Sequence, residues 1–191
     1  MESKFFAFMS RMRFIDRWSL MRNTFRENNA EHSLMTAFIA HGLAVIENEK
    51  FGGSFDACKI GMIGAYHEAS EVITGDMPTP IKYFSPEMRD AYKSVESVAR
   101  ETILSTLPEE FRGEYDGVIN ATPEEYRLVK YADKLTAYIK CVEETANGNS
   151  EFKKAAKSIE KELRAYKSKS VDYFLDTFVP PFALTLDDLS K

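Results

Sequence analysis

The chain has 191 residues, 44% hydrophobic and 29% charged, with a formal net charge of −5. This is long enough to bury a core without disulfides or a structural metal, and too apolar for a disordered chain. The 25 basic residues are spread along the sequence, which argues against long nucleic acid as a partner and leaves room for a small phosphorylated molecule held in a local pocket of positive charge.

Apolar residues recur at helical spacing nearly throughout, and seven prolines and nine glycines are few for a turn-rich β fold. Residues 5–14 read as a short helix, followed by the polar segment 22–29. A second helix is predicted over residues 30–49, with Leu34, Phe38, Ile39 and Val45 available for the core, stopping at Phe51-Gly52-Gly53. A third starts from an Asp56 cap and runs to Thr74, where Gly75 ends it. The loop from Gly75 to Pro80 carries two prolines that exclude helix. Ser85-Pro86 starts a helix reaching about Leu107. Thr122-Pro123-Glu124-Glu125 is a capping box for a helix to Asn147, stopped by Gly148. A last long helix is predicted from about Ser150 to Phe178, broken by Pro180-Pro181. No segment reads as a strand or a linker, so the expectation is an all-α, single-domain bundle of five or six helices over residues 1–191.

Cys58 and Cys141 sit in helix-like apolar stretches without metal-ligand spacing and read as buried free thiols, which fits a reducing cytoplasm. The N-terminal residues lack a signal-peptide pattern, and no apolar run approaches a membrane span.

Three histidines carry most of the chemical information. Nine steps of about 100° separate His32 from His41 along one helix, so they face opposite ways and cannot serve one site. His41 reads as structural. In His67-Glu68-Ala69-Ser70-Glu71, an imidazole and two carboxylates share one broad helical face. Clustered carboxylates repel unless they shift their pKa values, stay solvated or share a cation; the alternatives are a metal site or a solvated acidic stripe. Asp133 lies among apolar positions with Lys140 on nearly the same face, so it reads equally as a ligand or as half of a surface ion pair.

Together, His32, His67-Glu68 and Asp133, each on a separate helix, resemble the H…HD…D signature of HD-domain phosphohydrolases. The likeness is closer still to the bacterial HD-domain 5′-deoxynucleotidases. It extends through Asp16-Arg17-Trp18-Ser19-Leu20-Met21-Arg22-Asn23, Glu31-His32-Ser33, and the run from Glu68 through Thr74-Gly75-Asp76-Met77-Pro78-Thr79-Pro80-Ile81-Lys82-Tyr83-Phe84. Asp133 with Ala137-Tyr138 and Lys140-Cys141, and the tail segments Asp172-Tyr173-Phe174 and Phe178-Val179-Pro180, complete a resemblance covering essentially the whole chain. One position departs from the family: its doublet is His-Asp, whereas here it is His67-Glu68.

The resemblance implies one divalent ion on His32, His67, Glu68 and Asp133, with Co²⁺ or Mn²⁺ ahead of Zn²⁺, Ni²⁺, Fe²⁺ or Mg²⁺ for such a mixed nitrogen and oxygen set. It implies Glu71 as catalytic carboxylate, Asp76 as a second acid/base or sugar ligand, and Arg17 as the phosphate ligand. Trp18 would stand by the sugar, where its bulk disfavours a ribose 2′-hydroxyl, with Thr79 and Lys82 as further phosphate or sugar contacts. The implied activity is hydrolysis of deoxyribonucleoside 5′-monophosphates by a homodimer. Two rivals are an HD phosphohydrolase for another nucleotide or phosphomonoester, and a non-catalytic metal or nucleotide-binding module marked by Glu68. The absence of an evident polyphosphate-binding cluster counts against triphosphates.

Overall fold

The computed structural model describes residues 2–82 and 84–190; Tyr83, in the loop segment quoted above, lies outside the described residues. Among the described residues there are eleven α-helical segments and no strand, only an isolated antiparallel bridge between Asp16 and Asn28. Helix α1 (Phe5–Met9) runs on as a 3-10 turn over Ser10–Phe14. Helix α2 (Asn29–Phe51) opens on a capping box in which the Asn28 side chain accepts from the Ala30 and Glu31 amides. It ends at Gly52, whose φ of 73° is the left-handed conformation that glycine adopts without a Cβ penalty.

The helix expected from Asp56 to Thr74 is broken. Helix α3 (Ala57–Tyr66) is capped by Asp56 as expected, but residues 67–70 form a tightened turn. The Ala69 amide bonds Tyr66 O at 2.9 Å, and the Glu71 amide bonds Glu68 O at 3.0 Å. His67 Nδ1 donates to Gly64 O at 2.6 Å, engaging a carbonyl that a continuing α-helix would have given to the Glu68 amide. One helical turn, α4 (Glu71–Thr74), follows, and Gly75 ends it.

The proline loop is also corrected. Thr79–Lys82 form a helical turn, α5, in which Pro80 lies in the first turn, where its missing N–H is no loss. Helix α6 (Pro86–Ser105) starts from Ser85 as expected. Helix α7 (Glu109–Ile119) was not anticipated, because Gly113 and Gly117 weaken its propensity. Helix α8 (Pro123–Ala146) has the expected capping box at Thr122 and Glu125. The predicted last helix is divided into α9 (Lys153–Ala165) and α10 (Lys169–Thr177), because Lys167 takes a left-handed φ of 51° and Ser168 caps a new start. A final turn, α11, covers Leu186–Leu189.

The main core is built from α2, α3, α8, α9 and α10 and includes Leu43, Ile63, Leu135, Leu163 and Val171. A smaller one gathers Phe5 with Ile103, Leu104 and Leu107. Ile39 is buried as expected, but Leu34, Phe38 and Val45 are 53%, 62% and 40% exposed. Apolar residues encircle α2, so periodicity alone could not choose its core face. Cys141 is buried as expected, whereas Cys58, in the first turn of α3, is exposed.

Two constraints position the site. A Cβ on Gly64 would lie 2.9 Å from the Ala37 Cα, so this glycine permits α3 to pack closely on α2. Residues 15–28 form a loop closed by Arg17 N–H to Glu27 O at 2.9 Å and Asn29 N–H to Ile15 O at 3.0 Å. Its far end rests on the fully buried Glu144. That carboxylate accepts from the Thr24 amide at 3.0 Å, Asn149 Nδ2 at 2.8 Å and Lys140 Nζ at 2.6 Å. Lys140 also donates to Phe25 O at 2.6 Å, so it is not the surface partner of Asp133 that the sequence allowed.

Gly64→Ala should cost about 1–3 kcal/mol by overpacking a backbone contact, read from urea denaturation followed by circular dichroism. Glu144→Ala should cost about 3–5 kcal/mol, because it strands a buried ammonium. The double change Lys140→Met/Glu144→Leu should cost less than Glu144→Ala alone.

Candidate metal centre and active site

Four potential ligands converge from three parts of the chain: His32 on α2, His67 and Glu68 in the turn after α3, and Asp133 on α8. Their ligand atoms all lie within 4.8 Å of one another. His32 Nε2 is 3.0 Å from Asp133 Oδ1 and 3.9 Å from Glu68 Oε1. His67 Nε2 is 3.3 Å from Glu68 Oε1 and 4.0 Å from Asp133 Oδ1. Such separations suit donors placed about 2.0–2.2 Å from one shared ion.

The donor set fits a cation on a further ground. Because Nδ1 of His67 donates to Gly64 O, Nε2 is the nitrogen left for a metal, and this atom is buried without a hydrogen-bond partner. A backbone carbonyl fixing one imidazole nitrogen so that the other can bind metal is a common outer-shell arrangement. The added methylene of Glu68, relative to the family's aspartate, still brings its carboxylate into the cluster.

The surrounding charges hold three of the four donors in metal-binding form, whereas His67, despite its burial, is raised by the charges of Glu68 and Asp133, so that an arriving cation displaces its proton. Burial opposes ionisation of Asp133, yet the hydrogen bond and charge of His32 bring it down to about 2. Burial likewise opposes ionisation of Glu68, but His67 and Arg17 hold it well below the ordinary value. Burial, aided by the Arg17 charge, lowers His32 and so favours the neutral imidazole.

Glu71 follows the opposite course. It is 5% exposed, and burial together with the Glu68 and Asp76 charges pushes it up to about 9. It is therefore no part of a solvated acidic stripe. Asn29 Nδ2 donates to Glu71 Oε2 at 2.6 Å, and the Glu71 carboxyl also shares a hydrogen bond with Glu68.

Arg17 stands beside the ligands, with Nη1 3.2 Å from Glu68 Oε1 and Nε 3.3 Å from Glu27 Oε2. The same Glu27 oxygen accepts from Trp18 Nε1 at 2.9 Å. Trp18 has a φ of 56°, a conformation rare for a bulky residue and of a kind that clusters at functional sites. Burial keeps Asp76 above the ordinary carboxylate value despite Arg17. Lys82 is tied to Glu96 at 2.8 Å and lies over the Tyr92 ring at 4.6 Å. Thr79, exposed at the start of α5, makes no hydrogen bond to the cluster among the described residues. His41 is exposed on the far side of α2 from buried His32, as the nine-residue spacing requires.

Sequence reasoning missed Glu27, Asn29 and Glu144, and offered Lys140 a different partner. The Lys140–Glu144 spacing of four is visible in the chain, but only the fold shows that the pair is buried. Nothing local marks Glu27 or Asn29, because their partners are set by loop closure and by a contact with Glu71 across 42 positions.

The raised pKa of Glu71 has a consequence in metal-free protein. Between its ordinary value of 4.5 and about 9, the folded chain holds a proton that the unfolded chain has lost. Its stabilising contribution is therefore complete below about 4.5 and lost as pH rises through about 9. In EDTA, Tm should fall by several degrees from pH 5 to pH 8, and Glu71→Gln should flatten that slope in calorimetric scans.

Comparison with known proteins places this site in a family. Residues 4–182 match the YfbR-like 5′-deoxynucleotidase family. The chain is 47% identical over 192 residues to a 5′-deoxynucleotidase of Vibrio atlanticus, covering 99% of both sequences. Its fold resembles that of an HD-domain phosphohydrolase from Listeria innocua, with a TM-score of 0.80, 22% identity, and 98% of this chain and 92% of that one covered. It also resembles the cyanophage S-2L HD phosphohydrolase DatZ, bound to dA and one catalytic Zn²⁺, with a TM-score of 0.51, 21% identity, and 71% and 69% of the two chains covered. The four converging donors thus lie on an HD-type helical scaffold, and the chain belongs to the YfbR-like 5′-deoxynucleotidase family.

Proposed function

We propose that this chain acts as a single domain to hydrolyse deoxyribonucleoside 5′-monophosphates to deoxynucleosides and phosphate. The observation that carries this reading is the convergence of His32, His67, Glu68 and Asp133, with Arg17 and Glu71 alongside, in a chain similar over its full length to a 5′-deoxynucleotidase. The bound dA in the cyanophage HD protein is in keeping with a nucleoside-sized ligand.

His32, His67, Glu68 and Asp133 would hold one divalent ion, which supplies Lewis acidity to the phosphate and to the attacking water. Two imidazoles and two carboxylates suit Co²⁺ or Mn²⁺, with Zn²⁺, Ni²⁺, Fe²⁺ or Mg²⁺ as lesser candidates. Arg17 binds the phosphate, its planar fork matching two oxygens, while Glu27 keeps both Arg17 and Trp18 in place. Glu71, held by Asn29, orients the water and takes its proton. A nearby cation would offset the carboxylate repulsion that adds to burial in raising Glu71, bringing it toward the range useful for general base catalysis. Asp76 serves the sugar or acts as a second acid/base. The Trp18 indole crowds the sugar's 2′ position, and Lys82 and Thr79 add outer phosphate or sugar contacts.

The non-catalytic rival rests on Glu68. Its 3.3 Å approach to His67 Nε2 supports a ligand role rather than decay of the site. An exposed stripe on α2, Leu34, Phe38 and Val45, with Met62 on α3, supports a homodimer. Cys58 and Cys141 are free thiols, which supports residence in a reducing cytoplasm.

Phosphate release from 5′-deoxynucleotides and matching ribonucleotides tests the reading. Metal-stripped protein resupplied with Mn²⁺ or Co²⁺ should favour the deoxy forms, and Glu71→Gln should lower kcat by about 10²–10⁴. Glu27→Gln should lower kcat/KM by about tenfold while leaving metal stoichiometry intact. Tight metal binding without release from any nucleotide would favour the non-catalytic module.

A further inference from the structure

A cavity of about 640 Å³ adjoins the cluster, with His67 and Asp133 both in its lining. Its size is that of a small-molecule site. Six lysines and arginines line it against three carboxylates, although the whole chain carries a net charge of −5. One carboxylate is Asp133 itself; the other two are engaged within the wall, Glu96 with Lys82 at 2.8 Å and Glu162 with Lys134 at 3.2 Å. Lys93, Arg100 and Lys130 make no ion pair with a carboxylate among the described residues; Lys93 feels Asp90 only at longer range, and Lys130 lies over the Tyr126 ring at 5.2 Å. The spread of basic residues along the sequence therefore conceals a local concentration of positive charge.

The concentration is built by helical spacing. Arg89, Lys93 and Arg100 recur on one face of α6, and Lys130 and Lys134 are one turn apart on α8, on either side of Asp133. Unpaired cations that face one cavity repel one another, which an anionic ligand relieves. A simple deoxynucleoside monophosphate does not use them, because its only phosphate belongs at the metal cluster and its sugar and base carry no negative charge. Arg89 and Arg100 are about 16 Å apart along the helix axis. The cations are therefore spread along the cavity rather than gathered at one point, and can meet a phosphate other than the one held at the metal cluster.

Building on the nucleotidase reading, we propose that this cavity binds a second phosphate on the 3′ oxygen of the substrate. The chain then removes the 5′-phosphate from deoxynucleoside 3′,5′-bisphosphates, or from the 5′ end of short oligodeoxynucleotides, in preference to simple monophosphates. Water supplies the oxygen that bonds to phosphorus, the P–O5′ bond breaks, and the 5′ oxygen leaves with a proton. The 3′ ester is untouched, so the products are phosphate and a deoxynucleoside that keeps its 3′ group.

The test compares dAMP, deoxyadenosine 3′,5′-bisphosphate, the 5′-phosphorylated dinucleotide of deoxyadenosine, and dADP. Metal-loaded parent and a Lys93→Gln/Arg100→Gln variant are assayed at low and high salt. At low salt, the bisphosphate, the dinucleotide or both should exceed dAMP in kcat/KM by about tenfold, through KM, the equivalent of one charge-assisted contact. The gain should shrink with salt and vanish in the variant, whose dAMP turnover matches the parent's. A gain for the bisphosphate alone assigns the cavity to a terminal phosphate; a gain for the dinucleotide as well assigns it to a strand. Normal dAMP hydrolysis with no such gain, a gain retained in the variant, or a gain confined to dADP overturns this inference while leaving the nucleotidase reading in place. Failure to hydrolyse any of the four overturns both.

Discussion

The site depends on how closely two helices approach. Gly64 on α3 meets the backbone of Ala37 on α2 where a methyl group would not fit. His67 follows Gly64 by three residues, and His32 precedes Ala37 by five, so the close contact brings their rings to a centroid separation of 5.2 Å. Helix α8 packs on both α2 and α3 and delivers Asp133 into the angle between them. Two imidazoles and two carboxylates gathered in this way are costly to bury unless they share a cation. The same packing that completes the core therefore creates the demand for a metal.

Helix α8 also positions the substrate side. Eleven residues after Asp133, Glu144 anchors the far end of the loop that carries Arg17 and Trp18, through amide hydrogen bonds and its pair with Lys140. Glu27 joins Arg17 and Trp18 at the near end. The left-handed backbone of Trp18 is held between these two anchors. One rigid helix thus fixes the distance between Asp133 and the loop that carries Arg17, the kind of rigid spacing on which a reaction governed by orientation depends.

Much of this was legible in the chain because it depends on local chemistry. Thr122 with Glu125, Ser85 with Pro86, and Asp56 each mark a helix start that the fold adopts, and the nine-residue spacing of His32 and His41 correctly separates them. The errors share a tertiary origin. The break at residues 67–70 follows from His67 bonding the Gly64 carbonyl, and the core face of α2 is chosen by its neighbours rather than by its own nearly uniform apolar surface. Spacing alone left Glu71 between a metal site and a solvated stripe, and the family resemblance singled it out; its burial against Asn29, far away in sequence, is a tertiary fact. The cationic cavity was invisible for the same reason, since α6 and α8 bring together charges that are scattered along the chain.

On the reading proposed above, Glu68, despite its extra methylene, completes a four-residue site for one ion. Anomalous diffraction from a crystal of Mn²⁺-loaded protein tests this most directly. The expected result is a single ion about 2.0–2.2 Å from His32 Nε2, His67 Nε2, a Glu68 oxygen and an Asp133 oxygen. An ion bound without Glu68, or bound away from these four residues, would contradict it.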